Sequence, residues 1–260
     1  MTDATIVELE NQQTASRAPP LAVLGLSGTA LLAACGGGGG TSTTAAITPD
    51  NSLANNLALT DAARFLRQAS WGGTSNEIKD LAASGQQGWL NAQFNAPQGQ
   101  SLTRWLIEKG FNDASISSNV NGDGGWVQSI WWKLFSATDL FRQRAALALS
   151  ELFVVSHLGL PFSWRNFAIA NYWEILEANA LGNFRTLLEN VTLSSAMGTY
   201  LNMKGNQKYD AKTGRSPDEN YAREVMQLFT IGLYQLNIDG TLQLDAQGKP
   251  IESYDNAEIQ

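Results

Sequence analysis

Cysteine and histidine each occur once in the chain, as Cys35 and His157. A single cysteine excludes an internal disulfide and any cysteine-based zinc cluster, and a single histidine excludes every site that needs two imidazoles. No metal or cofactor is expected. Charge is also scarce, with Asp, Glu, Lys and Arg making up 16% of 260 residues against about a quarter in an average soluble domain. The formal net charge is −7, so a sequence-independent hold on nucleic-acid phosphates is not expected. No Gly-x-Ser-x-Gly, P-loop or dinucleotide fingerprint occurs, and the activities that depend on those glycines have no support. What the chain does have is apolar residues, 43% of the total, enough for the core of one large domain or two small ones.

Leu21 to Ala34 is an uncharged run of Leu, Ala, Val and small residues. Spanning a bilayer takes about 20 apolar residues, so this run is too short to cross one and has the length of a secretion-signal core. It ends in Leu32-Ala33-Ala34-Cys35 before five glycines, and this run resembles the lipobox of bacterial lipoproteins. The resemblance implies cleavage before Cys35, lipidation of Cys35, and, with Gly36 following, delivery to the outer membrane. The expected location is thus an outer-membrane or periplasm-facing lipoprotein, bound to the membrane through its N-terminal lipid. Asp3, Glu8 and Glu10 against Arg17 make an acidic leader where a basic one is usual. A start codon placed too far upstream, or an atypical signal, accounts for that. Residues 1–35 are read as the signal peptide and 36–56 (GGGGGTSTTAAITPDNSLANN) as a flexible, disordered tether.

From Leu57 onward apolar residues recur at three and four, the spacing of amphipathic helices. Helices are predicted over 61–70 with Thr60 as N-cap, 75–84 with Thr74 as N-cap, 88–94, 102–109, 126–135, 140–156, 167–181, 184–191 and 195–203. The segment 140–156 is apolar around nearly its whole circumference and is expected to be the central buried helix. Residues 111–125 read as a loop. Ser216-Pro217-Asp218-Glu219 reads as a capping box opening a helix to about Ile231. Two turn sequences, Asn237–Thr241 and Asp245–Pro250, flank a short alternating run that reads as a small hairpin. No internal repeat of fixed period stands out. The expected fold class is all-α, a bundle-like body over 57–260 with one small β-hairpin near its C-terminus.

Several stretches are familiar as a set: Arg64–Gly72, Arg142–Glu151, Gly182–Arg185, Ser194–Met197 and Asp218–Leu228. Together they resemble a bacterial family known as domain of unknown function 1800, collinear over about 57–260. The resemblance implies a large, mostly helical, commonly exported protein without an established activity. Family members continue past this point into a further helix with an Ala-Arg…Thr-Gly-Trp motif, so a truncated chain is expected. Many relatives carry Glu and His at the positions of Gln227 and Phe229, and a metal site built on those two is excluded here.

Candidate chemistry centres on charge in apolar surroundings. Arg144 and Glu151 share one face of the expected central helix, and Asn220, Arg223, Glu224 and Gln227 share a stripe on the helix 219–231. The expectation is a buried ion network of Arg144, Glu151, Arg223 and Glu224, because unpaired charges there cost several kcal/mol each. Glu151, Arg223 and Glu224 are the candidates for catalysis, a carboxylate–guanidinium cluster for a cofactor-free envelope hydrolase that uses paired carboxylates. His157 is read as a partner for the carbonyls at a helix C-terminus, with an acid–base role as the alternative. Asn121–Gly125 and Asn237–Thr241 resemble the start of a calcium loop but lack its acidic twelfth position, and both read as turns. All eight tryptophans fall between Trp71 and Trp173. Core filling is the ordinary use of such residues, and an exposed row would instead stack on sugar rings. Exposure of Trp131 or Trp132 would favour a polysaccharide-binding surface lipoprotein. A polar cleft around Arg223 and Glu224 would favour an enzyme, and neither would favour a scaffold.

Overall fold

Thr74 shows how locally this chain sets its helices. Its hydroxyl accepts the Glu77 amide at 3.3 Å while the Glu77 carboxylate accepts the Thr74 amide at 2.7 Å. This reciprocal capping box opens helix Ser75–Ser84 where the sequence predicts it, and Gly85 at φ +81° ends it. The side-chain oxygens of Ser101, Asn183 and Ser194 open three further helices by accepting first-turn amides, without the reciprocal bond.

The computed structural model describes residues 51–259, and the signal peptide, Cys35 and most of the tether lie outside these. Twelve α-helices occur among the described residues: α1 Asn51–Ala69, α2 Ser75–Ser84, α3 Gln86–Phe94, α4 Leu102–Glu108, α5 Ser117–Asn121, α6 Trp126–Ser136, α7 Leu140–Leu152, α8 Arg165–Asn179, α9 Phe184–Thr192, α10 Ser195–Tyr200, α11 Asn220–Glu224 and α12 Asn256–Ile259. A π-turn over Val225–Phe229 continues α11. None of these helices is long and apolar enough to cross a membrane.

The helix at the centre is α8, not α7. It contacts α4, α6, α7, α9 and α10, and its Ile169, Tyr172, Trp173 and Leu176 are buried. Around it lies the main core, with Leu102, Leu106, Phe153, Leu160, Val191 and Met197 fully buried. Burying each Leu stabilises the fold by about 1.5–3 kcal/mol. A smaller cluster, Ala62, Leu66 and Leu81 with Phe65 and Trp89 beside it, joins α1 to α2 and α3. The apolar circumference of α7 misleads because the helix fully buries only Gln143 and Ala146, while Ala148 and Leu152 face outward.

Other expectations need correction. Helix α1 begins at Asn51, so residues 51–56 of the expected tether are helical, and Thr60 bonds the Asn56 carbonyl within the helix instead of capping it. Once nucleated, a helix gains a bond for each residue added, which favours this extension. The expected loop 111–125 contains α5, and α7 ends at Leu152. Ser216 does not cap α11; the Asp218 carboxylate accepts the Asn220 amide instead.

No strand forms among the described residues, and the expected hairpin is not made. Four isolated antiparallel bridges occur instead, three of them within 234–252. The cause is an eight-residue repeat, contrary to the expectation of none. Gln235-Leu236-Asn237-x-x-Gly240 is matched by Gln243-Leu244-Asp245-x-x-Gly248. Each copy turns back before a second residue pair can form, and Pro250 has no amide to donate. The amides of Gln235, Ile251 and Gln243 instead bond in a closed ring of three: Gln235 to Ile251 at 2.9 Å, Ile251 to Gln243 at 3.0 Å and Gln243 to Gln235 at 2.9 Å.

Candidate functional site

Arg144, Glu151, Arg223 and Glu224 are not gathered into one ion network. The Arg144 guanidinium lies 5.5 Å from the centre of the Trp71 ring and donates to the Gln68 carbonyl. Glu151 is exposed near the end of α7. Arg223 pairs with Glu219 at 3.0 Å, one turn back on its own helix. Burial was the premise of the network, and α7 turns this part of its surface outward.

The buried charges lie elsewhere. Lys133 is the one ionisable residue of the aromatic helix α6, and its side chain is sealed from solvent. Its ammonium meets the equally buried Glu177 of α8 at 3.1 Å and donates to the Gln100 carbonyl at 2.9 Å. Asp139, also fully buried, pairs with Arg142 at 3.3 Å and accepts from Gln143. Arg142 in turn donates to the Glu177 carbonyl. The Glu177 carboxyl is held above the usual carboxylate range, chiefly by burial, with Lys133 opposing and Asp139 and Glu174 adding to it. This cluster pins α6, α7 and α8 together. Sealed as it is, it is a structural lock, because no substrate reaches it. A lysine inside Trp126–Ser136 was the available signal.

Arg223 and Glu224 part company at the π-turn. Successive helical residues point about 100° apart, and these two line different cavities. Arg223 borders a polar one of about 250 Å³ with Tyr234, Glu252 and Tyr254. Glu224 borders an apolar one of about 200 Å³ with Leu152, Leu201 and Phe229. Neither of these cavities unites Glu224 with Arg223, or with Glu151 as a second carboxylate. Phe229 is buried and packs on Phe153 with ring centres 4.9 Å apart, while Gln227 is half-buried.

His157 does not close a helix. It sits in a 3-10 turn, His157–Gly159, and its Nε2 meets the Asp123 carboxylate at 3.0 Å. The Asp123 turn therefore braces the segment after α7. The carboxylate of Asp239, in the other turn, accepts the amide and hydroxyl of Thr241.

Helix α6 is two-sided. Trp126, Ser129 and Lys133 face inward, while Val127, Trp131 and Phe135 recur every four residues on the outside. Trp131 is 55% exposed and Phe135 79%, and their rings are near-parallel at 16° with centres 5.5 Å apart. Trp132 is half-buried and stacks on Trp105. Because Lys133 is the only charge on α6 and is turned inward, the outer row is an uncharged aromatic shelf.

The profile of a family described as a protein of unknown function (DUF1800) matches residues 64–260. No curated protein and no solved structure matches the chain.

Proposed function

The chain belongs to the DUF1800 family of proteins of unknown function, and we propose from its own surface that it is an exported, lipid-anchored envelope protein that binds polysaccharide. The Leu32-Ala33-Ala34-Cys35 run supports export and anchoring. The observation that carries the binding role is the exposed pair Trp131 and Phe135 on an uncharged helix face. Single exposed apolar side chains are ordinary, but a contiguous exposed apolar row marks an interaction surface. The two rings stack on each other, and the apolar ring surface they leave exposed is what the C–H face of a sugar would pack against. Specific protein partners usually bury about 800 Å² per side, more than a row of three side chains on one helix offers. The row thus suits the narrower contact of a neutral glycan chain.

Gel retardation in neutral glucans tests this role. Trp131→Ala with Phe135→Ala should abolish retardation while leaving the melting curve in place, since both side chains are largely exposed. Retardation unchanged in that variant would defeat the reading. A paired-carboxylate hydrolase has less to stand on, because Glu151 is exposed and Arg223 and Glu224 border separate cavities. Anchoring has its own test. Cys35→Ser should move the protein from the detergent phase to the soluble or unprocessed pool, and unchanged partitioning would exclude the lipid.

A further inference from the structure

The chain carries a formal net charge of −7, yet Lys204, Lys208, Lys212 and Arg215 fall within twelve residues that hold a single carboxylate, Asp210. None of these four cations forms an ion pair among the described residues. The segment is a built loop. Its base is tied by a double hydrogen bond, in which Asn206 Nδ2 donates to the Asp218 carbonyl and the Asp218 amide donates to Asn206 Oδ1, each at 2.8 Å. Its tip is tied by the Asp210–Arg215 bridge, with the Asp210 carboxylate accepting the Lys212 amide and the Thr213 hydroxyl. Both carboxylates of the region are thus occupied with backbone or turn contacts, the second being Asp218, which accepts the Asn220 amide. The Lys204 amide is held by the Gly198 carbonyl at the end of α10, and its ammonium stands 5.8 Å from the Phe162 ring centre.

Beneath this loop is an open cleft of about 390 Å³, lined by Asn202, Lys204, Gln207, Arg215, Ser216 and Asp218 among others. We propose that this cleft is a second binding site, for an acidic polysaccharide, independent of the aromatic row on α6. Two cations, Lys204 and Arg215, outnumber the one lining carboxylate, Asp218, and leave net positive charge for a carboxylate or sulfate, while the Asn202, Gln207 and Ser216 side chains supply donors and acceptors for hydroxyls. No hydrocarbon side chain lines the cleft, so the acyl part of a phospholipid finds nothing to enter. The tied base and tip hold Lys204 and Arg215 at one cleft, a local positive field on a chain of net negative charge.

The experiment is affinity electrophoresis of the full chain in polygalacturonate, in neutral dextran and with phosphatidylglycerol vesicles. Polygalacturonate should retard the wild type, and raising salt from about 50 to about 500 mM should abolish this as the Debye length contracts severalfold. Lys204→Gln with Arg215→Gln should weaken binding about tenfold or more, as expected for losing a steering charge pair. Trp131→Ala should leave polygalacturonate binding intact, which separates this site from the one on α6. All four cations are exposed, so circular dichroism and the melting curve should be unchanged in these variants. Unchanged retardation in the double Gln variant, no retardation at low salt, or binding to vesicles but not to polygalacturonate would each overturn the proposal.

Discussion

Lys133 carries a charge into a helix of tryptophans, and the structure shows what accommodates it. Its partners Glu177 and the Gln100 carbonyl lie on segments far away in sequence, so the lysine was visible in the sequence but its purpose was not. Conversely, Arg144 and Glu151 look buried in sequence because their neighbours are Ala and Leu, and they turn out to edge the surface. Lys133→Met should destabilise by about 3–5 kcal/mol at neutral pH in urea unfolding, since it strands the Glu177 carboxylate. Adding Glu177→Leu should recover most of that loss, and a double variant as unstable as the single would disprove the pairing. The pH dependence has a definite sign. The Glu177 pKa is raised on folding, so its proton-linked stabilisation is complete below the ordinary unfolded glutamate value and is lost as pH rises through the folded value. Wild-type stability should therefore fall over that window, and Glu177→Gln should remove this part of the slope.

Helix boundaries were most legible where one side chain decides them. Thr74 caps α2 as the sequence predicts, and Ser101, Asn183 and Ser194 hold first-turn amides just before three other predicted starts, whereas Thr60 and Ser216, also read as caps, do not cap. Legibility failed where the decision is made at a distance. Helix α11 passes into a π-turn that places Phe229 on Phe153, and nothing in the local spacing announces it. The eight-residue repeat was missed for the opposite reason, since two short copies are a weak pattern until the ring of three amides gives them a meaning. Gly125 illustrates a junction that composition alone cannot specify. It opens α6 at φ +76°, and a Cβ there would lie 2.4 Å from the Phe111 ring. Gly125→Ala should cost about 1–3 kcal/mol from strain and collision together. Truncating Phe111 in the same chain should return only the collision part, a non-additivity measurable by thermal melts.

Across the whole body, stability is unevenly shared. The main core surrounds α8 with fully buried Leu, Phe, Val and Met side chains, whereas α1–α3 rest on a cluster centred on Ala62, Leu66 and Leu81. The region 233–244 exposes Leu233, Leu236, Ile238, Leu242 and Leu244. Native-state hydrogen exchange should accordingly release amides of 60–94 and 233–251 first, and those of 165–179 only with global unfolding. Equal protection in all three would show a single cooperative unit. The α1–α3 cluster also has a mechanical meaning. Tension reaching this body from its N-terminal side enters through α1, so the small cluster is in series ahead of the main core and yields first under load. It would behave as a sacrificial link, letting the leading helices peel away and dissipate a pull while the α8 core keeps its shape.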